Sequence, residues 1–165
     1  MVDLILNTPQ SIYNQTILIL GGGRVAKAVG LLLFKLGINF DITMRNETKL
    51  LEFQLYATNI VNFKNFKKKL KNYDVVINTI PAEIFEKKDE NKFKNPSVLF
   101  ELSSVKCLND EILYKNHLFA PFTEIVKFNN KNIKYVLSPA LPGRYTPHSA
   151  GDLIFEYLKN NKLLW

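Results

Sequence analysis

Six consecutive residues, Gly21-Gly22-Gly23-Arg24-Val25-Ala26, have the types and spacing that point most directly to chemistry. They follow a short apolar run at 16–20 and open a stretch of helical periodicity, so they make a G-x-G-x-x-A turn between a strand and a helix. Gly21 permits the tight turn, Gly23 lets the backbone approach a pyrophosphate, and Ala26 is small enough for the helix to pack on the strand. The helix N-terminus then presents unpaired N–H groups and its positive dipole end to phosphates. Such a string also arises as a plain connecting turn. The strand before it, the helix after it and the second strand beyond favour dinucleotide binding, with all six residues as cofactor-binding candidates.

The end of the second strand bears on which dinucleotide. A carboxylate there would hold ribose hydroxyls, whereas an arginine would suit a 2′-phosphate. The chain has Met44-Arg45-Asn46, about 20 residues past the glycines as the fingerprint expects. Glu47 falls slightly late and Asp41 lies at the wrong part of the strand. Arg45 therefore makes NADP the first reading and NAD the second; otherwise it is an ordinary solvated arginine. Asn78-Thr79-Ile80-Pro81 ends the fourth strand, where ligands of doubly wound sheets lie, and is a candidate cofactor loop. The alternative is a turn in which Asn78 caps its own backbone and Pro81 adds stiffness.

A third group lies near the C-terminus. Two prolines fix the segment Pro139-Ala140-Leu141-Pro142-Gly143, and Thr146-Pro147 starts a helix. Pro142 and Gly143 are expected on the cofactor. Arg144, the one fork-shaped cation of the segment, and His148 are the catalytic candidates, facing a substrate carboxylate; His148 otherwise reads as a first-turn surface residue. Ser103 and Ser104 read as turn residues, since no His–acid pattern accompanies them. Cys107 reads as a packed or surface thiol.

The elements that must position these groups alternate. Strands are predicted at 16–20, 38–44, 60–63, 74–79 and 98–102, with further strands at 118–122 and 135–138 and a loop or short helix between those two. Helices are predicted at 24–36, with Val25, Val29, Leu32, Leu33 and Leu36 as its apolar face, and at 47–56, 64–71 and 147–159. Residues 1–15 form an arm or short helix interrupted by Pro9. The β-α-β-α order implies an α/β fold: a doubly wound, Rossmann-like parallel sheet in one domain spanning 1–165.

Composition excludes several classes. The chain has 165 residues, 47% hydrophobic and 22% charged, ordinary for a globular domain. One cysteine rules out an internal disulfide and a Cys-based zinc site, and two histidines argue against a metal centre. With no membrane-length apolar run, a cytoplasmic setting is expected. The net charge of +7 suits anionic ligands. It is carried by 19 Lys and only three Arg, so Arg24, Arg45 and Arg144 stand out, each inside a candidate motif. The basic run at 64–71 lacks interleaved aromatics and reads as a solvated helix face, not a nucleic-acid patch.

Several of these motifs together resemble one family. Ile77-Asn78-Thr79-Ile80-Pro81, Glu101-Leu102-Ser103-Ser104, Leu137-Ser138 with the Pro139–Gly143 segment, and Ala150-Gly151 resemble the C-terminal, nucleotide-binding domain of the A-type subunit of dipicolinate synthase, an enzyme of spore dipicolinate formation. The glycine turn with Arg24 is similar too, and Leu4 to Tyr13 resembles the helix linking the family's two domains. The chain differs in four respects: no counterpart of the family's N-terminal domain, Val105-Lys106-Cys107 in place of a glycine-containing loop, a longer stretch at 119–132, and His148 where Lys is usual. The resemblance implies oxidation of a dihydrodipicolinate-type carboxylate to dipicolinate with a nicotinamide cofactor. Leu102 would join the cofactor shell, and the partner would be a flavoprotein-like second subunit or another copy of the chain. Two alternatives stand beside it: a non-catalytic nucleotide-binding partner or sensor, and an oxidoreductase similar to precorrin-2 dehydrogenase or shikimate dehydrogenase.

Overall fold

The structure, a computed structural model, describes residues 11–108, 118–120, 123–127 and 133–137. Its strands are β1 (Ile17–Leu20), β2 (Asp41–Met44), β3 (Asn59–Asn62), β4 (Val75–Asn78), β5 (Ser97–Glu101), β6 (Leu118–Ala120), β7 (Thr123–Lys127) and β8 (Ile133–Leu137). They form one sheet in the order β3-β2-β1-β4-β5-β8-β7-β6. The six strands from β3 to β8 are parallel, the doubly wound arrangement that the alternating pattern predicts. β7 and β6 continue the sheet antiparallel. The loop or short helix expected between the last two strands is thus replaced in part by β7, whose alternating Thr-Glu-Ile-Val-Lys pairs along β8.

Both faces of the sheet are covered, and the strand residues alternate between two cores. Leu18, Leu20, Val76, Leu99, Ile133 and Tyr135 face one, with Phe66, Leu70, Phe85 and Phe93. Ile17, Ile19, Ile42, Ile77, Phe100 and Val136 face the other, with Val29, Leu33, Phe40 and Phe53. Burial on both sides is why these strands read as continuous apolar runs rather than as alternating ones.

The helix α1 (Arg24–Lys35) follows the glycine turn as expected, and its buried side shares Val29 and Leu33 with the predicted face but is rotated from it. Ala26, Val29, Gly30 and Leu33 are buried, while Val25, Leu32 and Leu36 are exposed. The cause is size. A Cβ built on Gly30 would lie 3.0 Å from Phe40 Cζ, so the small residues mark the side that comes closest to the sheet. The helix predicted at 47–56 is reduced to a 3-10 turn, Glu47–Lys49, and one α turn, Leu50–Phe53. The basic helix is confirmed in short form, Phe66–Lys69 and then Leu70–Asn72, with Phe66 and Leu70 buried. A 3-10 turn, Ile12–Asn14, is what the described residues show of the N-terminal arm. Among the described residues no helix is long and apolar enough to cross a membrane.

Candidate functional site at the glycine turn

The three glycines turn out to have three different surroundings. Gly21 has φ +115°, a conformation open to glycine, and a Cβ there would fall 2.3 Å from Thr79 Oγ1. Its N–H donates to Thr43 O at 2.8 Å, which ties the turn to β2. A Cβ at Gly22 would meet Met44 Sδ at 2.6 Å. Gly23 is extended and caps α1, and a Cβ there would meet nothing within 4 Å. Ala26 is fully buried, as packing of the helix on the sheet requires. The N-terminus of α1 has neither a side-chain cap nor an acidic residue in its first turn, so its N–H groups and positive dipole end are not offset locally.

Beside the turn lies a cavity of about 260 Å³ lined by Gly21, Gly22, Gly23, Met44, Arg45, Asn46, Lys49 and Ile80. The structure therefore brings the three glycines, Arg45 and Ile80 together at the carboxyl ends of β1, β2 and β4. Arg45 is exposed, with Cζ 5.4 Å from the centroid of the Phe63 ring. It also borders a second cavity, of about 520 Å³, with Met44, Asn62, Phe63 and Lys64 on its walls. Asn46 Oδ1 accepts from Thr48 N (3.0 Å) and Thr48 Oγ1 (2.7 Å), a local turn that starts the helical stretch and brings Lys49 to the rim beside Arg45. Arg24 and Val25 are exposed on α1 and do not line the first cavity.

In the run from Asn78 to Pro81, Ile80 alone lines that cavity. Asn78 is buried and caps its own turn. Its Nδ2 donates to Ile80 O (3.0 Å), and its Oδ1 accepts from Ile80 N (3.1 Å). Thr79 holds the turn to β1, with its N–H and its hydroxyl both donating to Leu20 O at 3.0 and 2.8 Å. Pro81 is exposed, and Leu102 is half-buried with its N–H on Asn78 O. Pro142, Gly143, Arg144 and His148 lie outside the described residues.

Beneath this turn is a group to which the motifs assign no role. Glu101, at the end of β5, is 1% exposed. Its Oε1 accepts from Asn78 Nδ2 (2.7 Å), Ser103 N (3.0 Å) and Ser103 Oγ (2.6 Å). Its Oε2 accepts from Cys107 N (2.7 Å) and Tyr135 Oη (3.2 Å). Burial, reinforced by the Glu101 charge, pushes the Cys107 thiol well above its ordinary range. A thiol so held stays protonated, so Cys107 is a packed group rather than a nucleophile. Ser103 is a turn residue, its hydroxyl engaged with Glu101. The signals for the overlooked residues were in the chain: one acid in the apolar strand Ser97–Glu101, and Lys49 one helical turn after Arg45. Among the described residues no group of three or more His, Cys, Asp or Glu is placed to hold a metal ion.

No protein-family model matches the chain. The A-type subunit of dipicolinate synthase from Bacillus subtilis is 25% identical over 161 residues, which is 97% of this chain and 48% of that protein. The crystal structure of the same Bacillus subtilis protein superposes with a TM-score of 0.74 at 21% identity, over 98% of this chain and 50% of that one. Its Bacillus halodurans counterpart gives a TM-score of 0.77 at 22% identity, over 96% and 50%. A D-isomer specific 2-hydroxyacid dehydrogenase from Lactobacillus delbrueckii, solved in its NAD-complexed form, gives 0.52 at 19%, over 63% and 32%. The fold is thus Rossmann-like and shared with dehydrogenases. The chain spans about half the length of the curated relative it matches, and along that half it is a homologue of the A-type subunit of dipicolinate synthase.

Proposed function

We propose that this chain binds NADP, in preference to NAD, and provides the nucleotide-binding part of an oxidoreductase that converts a dihydrodipicolinate-type carboxylate to dipicolinate. The observation that carries the reading is the cavity at the glycine turn, which joins an anion-accepting helix start to two cations, Arg45 and Lys49. The residues present fit a dinucleotide. Gly23 has room for a close neighbour, the first-turn N–H groups of α1 would hold the pyrophosphate, and Arg45 with Lys49 would hold the 2′-phosphate. The bound nicotinamide would accept the electrons; the chain's own part is to bind and orient it. The likeness to dipicolinate synthase supports the substrate class, and a flavoprotein-like second subunit or a second copy of this chain is the proposed partner.

Titration of the purified chain with NADPH and NADH tests the cofactor. Wild type is expected to favour NADPH, and both Arg45→Ala and Lys49→Ala to weaken NADPH roughly tenfold with little change for NADH, the size of one charge-assisted hydrogen bond. Equal affinities in wild type overturn the NADP preference, and binding of neither overturns the dinucleotide reading. Turnover of a dihydrodipicolinate-type substrate, measured with and without a co-purified partner, tests the reaction.

A further inference from the structure

We propose that Glu101 is the positioning residue for the nicotinamide half of the cleft: its carboxylate ties the 78–81 turn to the 103–107 loop and fixes where the second nucleotide lies. This deepens the dinucleotide reading above and rests on it. Glu101 occupies the last position of β5, in register with Asn78 of β4 and Leu137 of β8, so it sits where three strand ends meet. In a doubly wound sheet each half binds one nucleotide, and the β4-β5-β8 half is the one that does not carry the glycine turn. Glu101 is too deeply buried to touch a ligand; its influence passes through its partners.

Those partners offer donors: the Asn78 amide, the Ser103 and Cys107 N–H groups and the Tyr135 hydroxyl, with the Ser103 hydroxyl sharing its one proton between Glu101 and Val105 O. None of them is a cation. An ionised carboxylate is acceptor-only and matches the whole set, whereas any amide in its place must turn an NH₂ toward donors on one side. A buried carboxylate is costly, and an apolar side chain of similar volume would stabilise a core as well or better. The Ile84 and Phe85 N–H groups on Cys107 O already join the outer ends of the two loops, and what the carboxylate adds is fixed geometry at their inner ends, beside the strand termini. From Glu101 the order passes to Asn78, and from both ends of the Asn78 amide to the backbone of Ile80, which forms the β4-side wall of the glycine cavity, opposite Arg45 and Lys49 at the β2 end and next to the half of the sheet without the glycine turn.

The test compares Glu101→Gln with wild type on two probes: NADPH, and adenosine 2′,5′-bisphosphate, which lacks the nicotinamide ribose. The expected result is bisphosphate affinity within about twofold of wild type, with NADPH weakened roughly tenfold or more, since one loop must release an amide turned against its donors. The fluorescence of bound NADPH should shift as well, because it reports on the nicotinamide surroundings. Measurements are made below the unfolding transition, with the fold checked by circular dichroism. Should Glu101→Gln not fold, Ser103→Ala removes one donor while leaving the carboxylate, and should show the same selectivity at a severalfold level. Equal loss on both probes would make Glu101 a stability residue only and overturn the proposal, as would no change on either. Wild type that binds neither probe overturns the dinucleotide reading, and this inference with it.

Discussion

The three glycines separate two demands that a sequence motif merges. Gly21 is required by the protein itself, through its positive φ and its contact with Thr79. Gly23 is not, because its surroundings admit a side chain. Gly21→Ala should therefore lower stability by ~3 kcal/mol, from a strained backbone and a forced displacement of Thr79. Gly23→Val should leave the thermal transition nearly unchanged while abolishing dinucleotide binding. Thermal melts and calorimetric titration of the two variants check this. Equal destabilisation would mean that Gly23 is structural, and undiminished binding by Gly23→Val would remove the pyrophosphate assignment.

Elements are positioned by contacts that large-residue periodicity does not display. The apolar stripe of Val25, Val29, Leu32, Leu33 and Leu36 reads as the buried side of α1; Val29 and Leu33 are buried, but Val25, Leu32 and Leu36 are exposed, and Ala26 and Gly30 complete the contact. Helical spacing locates the helix and half of its buried side correctly; it misses the other half because close approach favours small residues, which add little to an apolar pattern. Gly30→Val should therefore cost ~2 kcal/mol despite the better helix propensity of valine, by crowding Phe40 and Tyr56. Chemical denaturation measures it, and an unchanged midpoint would show that α1 can retreat. Glu101 is equally hard to read, since its partners come from the end of β4, the middle of β8 and the loop after β5.

Another element-scale tie joins the 3-10 segment Lys87–Lys92 to the helical turn Phe66–Lys69. Asp89 is fully buried and accepts from Lys67 and Lys92, both at 2.6 Å, and from Glu86 N at 3.0 Å. Burial alone would raise its pKa, but the two ammonium groups and the N–H outweigh it and lower it from the ordinary 3.8 to about 2. A carboxyl with a depressed folded pKa stabilises fully above its unfolded value and loses that contribution as pH falls toward the folded one. Stability should therefore decline between about pH 4 and pH 2. Asp89→Asn should flatten that decline and cost about 1–2 kcal/mol at neutral pH, the partly exposed lysines limiting the loss. Unfolding midpoints across this range, for both proteins, are the measurement. An equally steep decline in the variant would assign the acid sensitivity elsewhere, with Asp74 next in line: its carboxyl is also lowered, as hydrogen bonds from Lys94 and Thr16 outweigh burial.

For the whole molecule, the alternation of strands and helices makes the parallel, doubly wound sheet legible, and the glycine turn makes its switch point legible too. β6 is legible as well, within the strand predicted at 118–122; β7 and the antiparallel pairing are not, because an antiparallel edge depends on partners that no local pattern names. The same strand order has a consequence in time. β1, near the start of the described chain, ends in the middle of the sheet between β2 and β4. Its β4-side partners lie 58 residues further along, as in the pair Thr16 and Asp74. A ribosome thus releases the central strand long before the neighbour that completes it. Until then Ile17 to Leu20 carry one open edge of four apolar residues, the kind of surface on which nascent chains meet chaperones or one another. Folding of such non-local parallel pairings is slow for the same reason, since loop closure must precede any contact that rewards it. The strand that bears the glycine turn is therefore the earliest of these strands to be synthesised, and it stays half-paired until β4 has emerged.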